Sequence, residues 1–197
     1  MYIRILRGHI LADHLVEVPE FQRSYSWEQI NVQEYLSDLD RARAKKSAYF
    51  MGTIVFAKPS EGGDRRTIVD GQQRLATTAL LFIAIRNRLS ELGKTELAEN
   101  TTKKYLRRFS IREEGDVDSL ILSPKDQDSY DLILGGKSSD VSTTDKIRVC
   151  YEECRAYLER LAPTTKQYKE LIDVIDQLKR KVQILVTVAS EDRRAHV

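Results

Sequence analysis

A chain of 197 residues with 41% apolar and 31% charged side chains can bury one ordinary core, and its net charge of +2 is too small to keep it unfolded by self-repulsion. The balance of 32 basic against 30 acidic residues excludes a protein that holds nucleic acid by bulk charge, although a local basic patch stays open. No apolar run is long enough to span a bilayer, and "MYIRILRGHI" lacks the apolar core and cleavage site of a signal peptide, so a cytoplasmic protein with no membrane partner is expected.

In chain order, the first regular signal is "LVEV" at 15–18, whose alternation predicts a short strand running into Pro19. "EFQRSYSW" follows, with Phe21, Tyr25 and Trp27 around the pair Gln22-Arg23. Asn31 is placed to cap a helix reaching about Lys46, with Val32, Tyr35, Leu36 and Leu39 as its apolar stripe. "AYFMGTIVFAK" at 48–58 is β-branched and aromatic and predicts a strand. "PSEGGD" then predicts a hairpin turn, and "RRTIV" the return strand. A helix from about Gln72 to Leu92, stopped near Gly93, carries "ALLFIAI" at 79–85. That stretch is apolar all round and belongs in the centre of the core.

The second half differs in character. "ELAENTTKKYLRRF" at 96–109 predicts another helix. Residues 110–145 hold Gly115, Pro124, Gly135 and Gly136 and read as irregular, with short apolar runs at 120–122 and 132–134 that allow a short strand and helix. Two amphipathic helices are predicted at about 145–161 and 166–180, then a strand "VQILVTVAS" and the closing "EDRRAHV". A buried strand so close to the end of a chain predicts a piece of a longer polypeptide.

Several features invite chemistry and do not reward it. Cys150 and Cys154 lie four apart on one helical face with Ile147, Leu158 and Leu161, which reads as two buried thiols, or as half of a metal site without a second half nearby in sequence. His9, His14 and His196 have no metal spacing. "LGGKSS" at 134–139 ends like a P-loop, but the pattern needs glycine at 131, where Asp131 stands. The basic pairs Lys103-Lys104 and Arg107-Arg108 and the run Lys179-Arg180-Lys181 read as solvated helix faces or as nucleic-acid contacts.

The informative stretch is "TIVDGQQRLATT". A strand, a glycine turn and a helix start make a phosphate site in principle, because the first N–H groups of a helix have no internal partner and the macrodipole places partial positive charge there. Gly71 lets backbone approach a ligand, Gln72 and Gln73 bring amide groups, and Arg74 can fork onto a phosphate. Asp70 could hold a magnesium ion beside it, since hard cations prefer carboxylate oxygen. The plainer reading is that Asp70 caps the helix and the polar residues face water. In "PEFQRSYSW" the Gln-Arg pair recurs, and Tyr25 and Trp27 could stack on a base or tuck against the core. A triphosphate carries more negative charge than one helix end offsets, so Arg23 and Arg74 are expected to share a pocket, on the edge where the strands ending near Val18 and Val69 lie together.

"VPEFQRSYSW", "YFMGTIVF" and "IVDGQQRLATT", in that order and spacing, resemble the N-terminal domain of GmrSD-type restriction endonucleases, which also occurs in phosphorothioate-sensing restriction proteins. The resemblance covers residues 18–90 well, and the rest is similar to the family's variable helical region. It implies an α+β fold related to ParB-like and sulfiredoxin-like domains, a small mixed sheet with a central helix followed by a helical subdomain. The divisions it suggests are a nucleotide-binding core over 1–93, a helical subdomain over 94–181 and a returning strand over 182–197. It implies a domain that binds and hydrolyses GTP or ATP with magnesium, senses modified DNA in antiphage defence, and controls an HNH nuclease domain in the same or a partner chain. A homo-oligomer is compatible with it. On that reading Asp70, Gln73 and Arg74 carry hydrolysis, Gln22, Arg23, Gly71, Gln72 and Thr77 hold the nucleotide, and Asp70 takes the magnesium. Sulfiredoxins use a cysteine in this turn, and Gln72 stands in that place here, so thiol chemistry is not expected. Ala76 departs from the family's usual threonine, which leaves Thr77 as the nearby hydroxyl. These residues contain no HNH pattern, so the chain itself is not expected to cut DNA. The alternative in another class is a non-catalytic, ParB-like DNA-binding module with nucleotide as a switch.

Overall fold

The computed structural model of the chain describes residues 3–7, 10–57 and 65–188, with 3–7 and 180–188 given by their backbone alone. The expected turn "PSEGGD", His9, His196 and the tail from 189 lie outside these residues.

A six-stranded mixed sheet carries the molecule. Its strands are β1 (Ile3–Arg7), β2 (Leu15–Glu17), β3 (Tyr49–Phe56), β4 (Arg65–Asp70), β7 (Leu120–Ile121) and β8 (Val182–Val188), in the order β1-β8-β3-β4-β2-β7. β1 is antiparallel to β8 and β3 antiparallel to β4, whereas β8–β3, β4–β2 and β2–β7 are parallel. A separate two-stranded ribbon pairs β5 (Arg107–Ser110) with β6 (Gly115–Asp118). The helices are α1 (Ile10–Asp13), α2 (Gln29–Ala44), α3 (Gln72–Glu91), α4 (Thr95–Thr101), α5 (Pro124–Leu134), α6 (Lys146–Leu161) and α7 (Tyr168–Asp176). The chain is thus α+β, with a small mixed sheet and several helices, as expected.

α3 is the axle of the core. Every side chain from Leu75 to Ile85 is buried, which is what a helix apolar on all faces requires. It packs against α4 and α6 and against the wide turn 102–106, where Tyr105 stacks on Phe82 with ring centroids 4.2 Å apart. Gly93, with φ of 71°, ends the helix: its N–H and that of Lys94 reach back to the carbonyls of Ser90 and Leu89. Cys150 and Cys154 are both fully buried on α6, and the hydrogen bond with Cys150, followed by burial, holds the Cys154 thiol well above its ordinary value. Among the described residues no three metal-ligating side chains stand together, and no helix is long and apolar enough to cross a membrane.

The structure corrects four expectations. α2 begins two residues before Asn31, at Gln29, with Glu28 as its cap; the Asn31 side chain instead accepts the Glu28 N–H at 3.0 Å. The helix expected over 96–109 stops as a helix by Leu106, because Arg107–Ser110 pairs with β6, tied by an Arg107–Asp118 ion pair of 2.9 Å. Within 110–145 lies a full helix, α5, which Ser123 and Pro124 start as N-cap and first residue. β1, in a segment with no clear alternation, was not anticipated; it is held at the edge by backbone pairing to β8.

Candidate functional site

Two parallel strands set the site. β2 pairs with β4 from Leu15↔Arg65 to Glu17↔Thr67, so their carboxyl ends lie side by side, and the Thr67 hydroxyl donates to the Glu17 carboxylate across the pair at 2.7 Å. From β2 the chain loops through 18–28 into α2. From β4 it passes through Gly71 directly into α3. Ends of neighbouring parallel strands are where open sheets collect ligands.

Gly71 allows that second turn. Its φ is +93°, and a Cβ there would stand 2.8 Å from Ile54 Cγ1 and 2.9 Å from the Thr53 carbonyl oxygen on β3. Asp70 does not cap α3. Its Oδ1 accepts the Gly71 N–H at 2.8 Å, and among the described residues no side chain caps the helix. The first-turn N–H groups of a 20-residue helix therefore lack a side-chain acceptor and present the positive end of its dipole.

The two Gln-Arg segments meet at this edge. Gln22 Nε2 donates to the Val69 carbonyl and Gln72 Nε2 to the Arg23 carbonyl, both at 2.9 Å. Gln73 Oε1 accepts the Ser26 N–H at 2.8 Å, and its Nε2 donates to the Ser24 carbonyl at 3.4 Å. Between Gln22, Arg23 and Trp27 of the loop and the run Val69–Arg74 lies a cavity of about 210 Å³. Arg23 and Arg74 both line it, as do Asp70, Gly71, Gln72 and Gln73.

The guanidinium of Arg74 rests on a glycine. Gly52, at an irregularity of β3 with φ of +111°, has no side chain, and a Cβ there would come within 3.2 Å of Arg74 Cζ. Among the described residues the Arg74 guanidinium makes no hydrogen bond or ion pair, so its charge has no internal counter-ion. Gly52 was not singled out from the sequence. Its signal was there, since an isolated glycine inside a strand pattern marks a close approach.

Not every expected side chain reaches the cavity. Tyr25 is buried, and its hydroxyl shares a 2.7 Å hydrogen bond with that of Thr77, itself fully buried on α3. Both stand behind the cavity wall, with Tyr25 unable to offer a ring face for stacking and Thr77 no hydroxyl to a ligand. Burial, with Cys150 beside it, pushes the Tyr25 phenol far above its ordinary value, so it stays un-ionised. Trp27 is half-buried on the wall, with its ring tilted against Tyr35 at 6.1 Å. Together with Tyr35, whose hydroxyl meets Thr78 at 2.9 Å, Tyr25 latches the loop and α2 onto α3. Tyr25→Phe should cost about 0.5–1.5 kcal/mol of stability in denaturant unfolding, the worth of one hydrogen bond, and leave ligand affinity unchanged.

No curated protein matches the chain. The family described as GmrSD restriction endonuclease, N-terminal domain, matches residues 5–196, which extends the likeness from the three quoted blocks through the helical half. With both signatures meeting at one cavity and the match spanning nearly every residue, this chain belongs to the family of GmrSD restriction endonuclease N-terminal domains.

Proposed function

We propose that this chain is the nucleoside triphosphate-binding and hydrolysing regulatory domain of an antiphage restriction system, sensing modified DNA and controlling a nuclease domain outside these residues. The observation that supports it is the single cavity in which Arg23, Arg74 and the uncapped start of α3 converge. Two guanidinium groups and a helix N-terminus on the wall of one cavity suit a phosphate chain. Size refines the reading. Pockets that enclose drug-sized ligands run to about 300–1,000 Å³, so a 210 Å³ cavity takes the phosphates and leaves the base at the rim beside Trp27.

The residues also fit magnesium. Asp70 Oδ1 is taken by Gly71, whereas Oδ2 has no partner among the described residues and can face a cation. Magnesium, when bound, draws charge from the phosphate oxygens. Arg74 then holds the phosphate chain from the β3 side and Arg23 from the loop side. Gln73, with one hydrogen bond to the loop at each end of its amide, positions Arg23 and Trp27 in this scheme. The ParB-like and sulfiredoxin-like relationship belongs to the same reading, since both use a turn before a helix to bind phosphate.

A second reading, a DNA-binding module without turnover, draws on a different surface. Lys103, Lys104 and Arg107 are exposed beside Phe109 and Ile111, which are 65% and 87% exposed. One assay separates the two: phosphate release from GTP and ATP with magnesium, with and without modified duplex DNA. Turnover that rises with modified DNA is expected. Binding of DNA with no release above buffer would leave the second reading standing.

A further inference from the structure

The β5–β6 ribbon turns one face outward. Arg107 pairs with Asp118 and Phe109 with Asp116, so these four side chains share that face, while Arg108 and Ser110 turn to the other. Folding does not explain Phe109: its ring is 65% exposed in a strand whose neighbours are polar. The face is not flat. Between it and the turn 102–106 lies a cavity of about 480 Å³, whose largely apolar wall includes Phe109, Lys103, Arg107 and Arg108, with Glu99 and Asp116 beside them as acceptors. That volume falls within the range of small-molecule sites, about 300–1,000 Å³. Positive charge continues beyond it. Lys103 and Lys104 stand on the turn and Lys179 on a second wide turn, Gln177–Lys181. None of the three has an ion-pair partner among the described residues. The Lys104 and Lys179 ammonium groups lie within hydrogen-bond reach of each other, and partial burial, then that neighbour, holds Lys104 below its ordinary value, with Asp13 offsetting only part. Two ammonium groups at one spot repel, and an external anion relieves them. A lone anion leaves Phe109 unexplained, and an apolar partner leaves the lysines unexplained. One nucleotide of a nucleic-acid strand accounts for both: its base has a face for the ring and an edge with N–H donors for the carboxylates, and the phosphates on either side are anions.

We propose that this cavity takes one unstacked base of a DNA strand, with Phe109 stacking on the base and Lys103, Lys104 and Lys179 holding the phosphates beside it. This rests on the part of the proposed function in which the chain senses modified DNA, and it gives that sensing a place apart from the cavity at Gly71. A base turned out of the duplex offers its whole edge and face to a pocket, whereas a paired duplex meets only the lysines. The ribbon is also joined to the other cavity. It runs through Ser119 into β7, whose Ile121 carbonyl accepts the Val18 N–H at 2.9 Å, where the loop 18–28 begins.

The test is fluorescence anisotropy of the full chain with two labelled DNA duplexes, one fully paired and one carrying a single unpaired adenine, over a range of salt. The proteins are the natural chain, Phe109→Ala, Phe109→Trp and Lys104→Ala. Phe109→Ala should lose roughly 5- to 150-fold in affinity for the duplex with the unpaired base, the range for one base stacked on an aromatic ring, and little for the paired one. Phe109→Trp should keep the affinity of the natural chain. Lys104→Ala should weaken both duplexes alike and lower the slope of log affinity against log salt by about 0.9, the worth of one phosphate contact. A Phe109→Ala loss that is the same for both duplexes, or that Phe109→Trp shares, overturns the base pocket, and an unchanged salt slope in Lys104→Ala removes the phosphate contact that the proposal requires. Self-association that Phe109→Ala abolishes, with DNA affinity unchanged, would give the ribbon to a protein contact and likewise overturn it. A natural chain that binds neither duplex also overturns it, and the phosphate-release assay with modified DNA then decides the proposed function on its own.

Discussion

Replacing Gly71 with alanine should destabilise the chain by about 2–5 kcal/mol, the sum of left-handed backbone strain and overpacking. The strain arises because residue 71 sits at φ of +93°. The overpacking arises because the new Cβ would stand 2.8 Å from Ile54 Cγ1 and 2.9 Å from the Thr53 carbonyl oxygen, and the latter belongs to β3, in the interior of the sheet, where backbone yields least. For a chain of this size that corresponds to a drop in Tm of roughly 5–15 °C by thermal unfolding. The damage is local before it is global. To relieve the contact, β3 and the start of α3 must move apart, which displaces Gly71 and its neighbours in the cavity wall. Triphosphate affinity should therefore fall even at temperatures where the variant stays folded. A Gly71→Ala protein that melts within 1 °C of the natural chain would show that the seam is looser than the distances indicate.

Arg74→Ala should behave in the opposite way, weakening triphosphate binding by about 1.5–3 kcal/mol, or roughly 10- to 150-fold, with a stability change inside about 0.5 kcal/mol. The separation of the two effects follows from what the side chain touches. Its guanidinium lies over Gly52 and has no hydrogen-bond or ion-pair partner among the described residues, so folding gains little from it. A phosphate oxygen would be its first charged partner. Arg74→Lys should recover only part of the affinity, because an ammonium cannot make the paired contacts of a planar fork. Titration calorimetry beside a denaturant melt measures both quantities; equal losses in the two would make Arg74 a structural residue.

What could be seen from the sequence was the part governed by local rules. The strand-glycine-helix at 67–92 was legible because Gly71, Gly93 and an all-apolar stretch each have one structural meaning. The meeting of residues 22–23 with 72–74 was legible because two polar segments beside apolar ones had no packing explanation. The roles of individual side chains were less so. Tyr25 and Trp27 look alike in sequence, yet one is latched to Thr77 behind the wall and the other lies on it. Gln72 and Gln73 are neighbours of the same type, and only their partners across the loop tell them apart. β1 was missed because its strand character comes from β8 at the far end of the chain, and β5 because its basic residues continue the pattern of the preceding helix although its partner β6 is only a short turn away.

The position of β8 bears on how the chain is made. β8 does not add to an edge but inserts between β1 and β3, so β1 has no place in the sheet until β8 has been made. Until then β3 offers a bare row of peptide groups on one side, the kind of edge that invites pairing with another chain. The loops that form the cavity and the helix that fixes them lie between residues 15 and 91, while α6 that covers α3 and Asp126 that accepts the Tyr25 N–H come later in the chain. Synthesis therefore passes through a stage in which the residues lining the cavity are all present while the sheet stays open. That interval is when a holding chaperone has the most to protect.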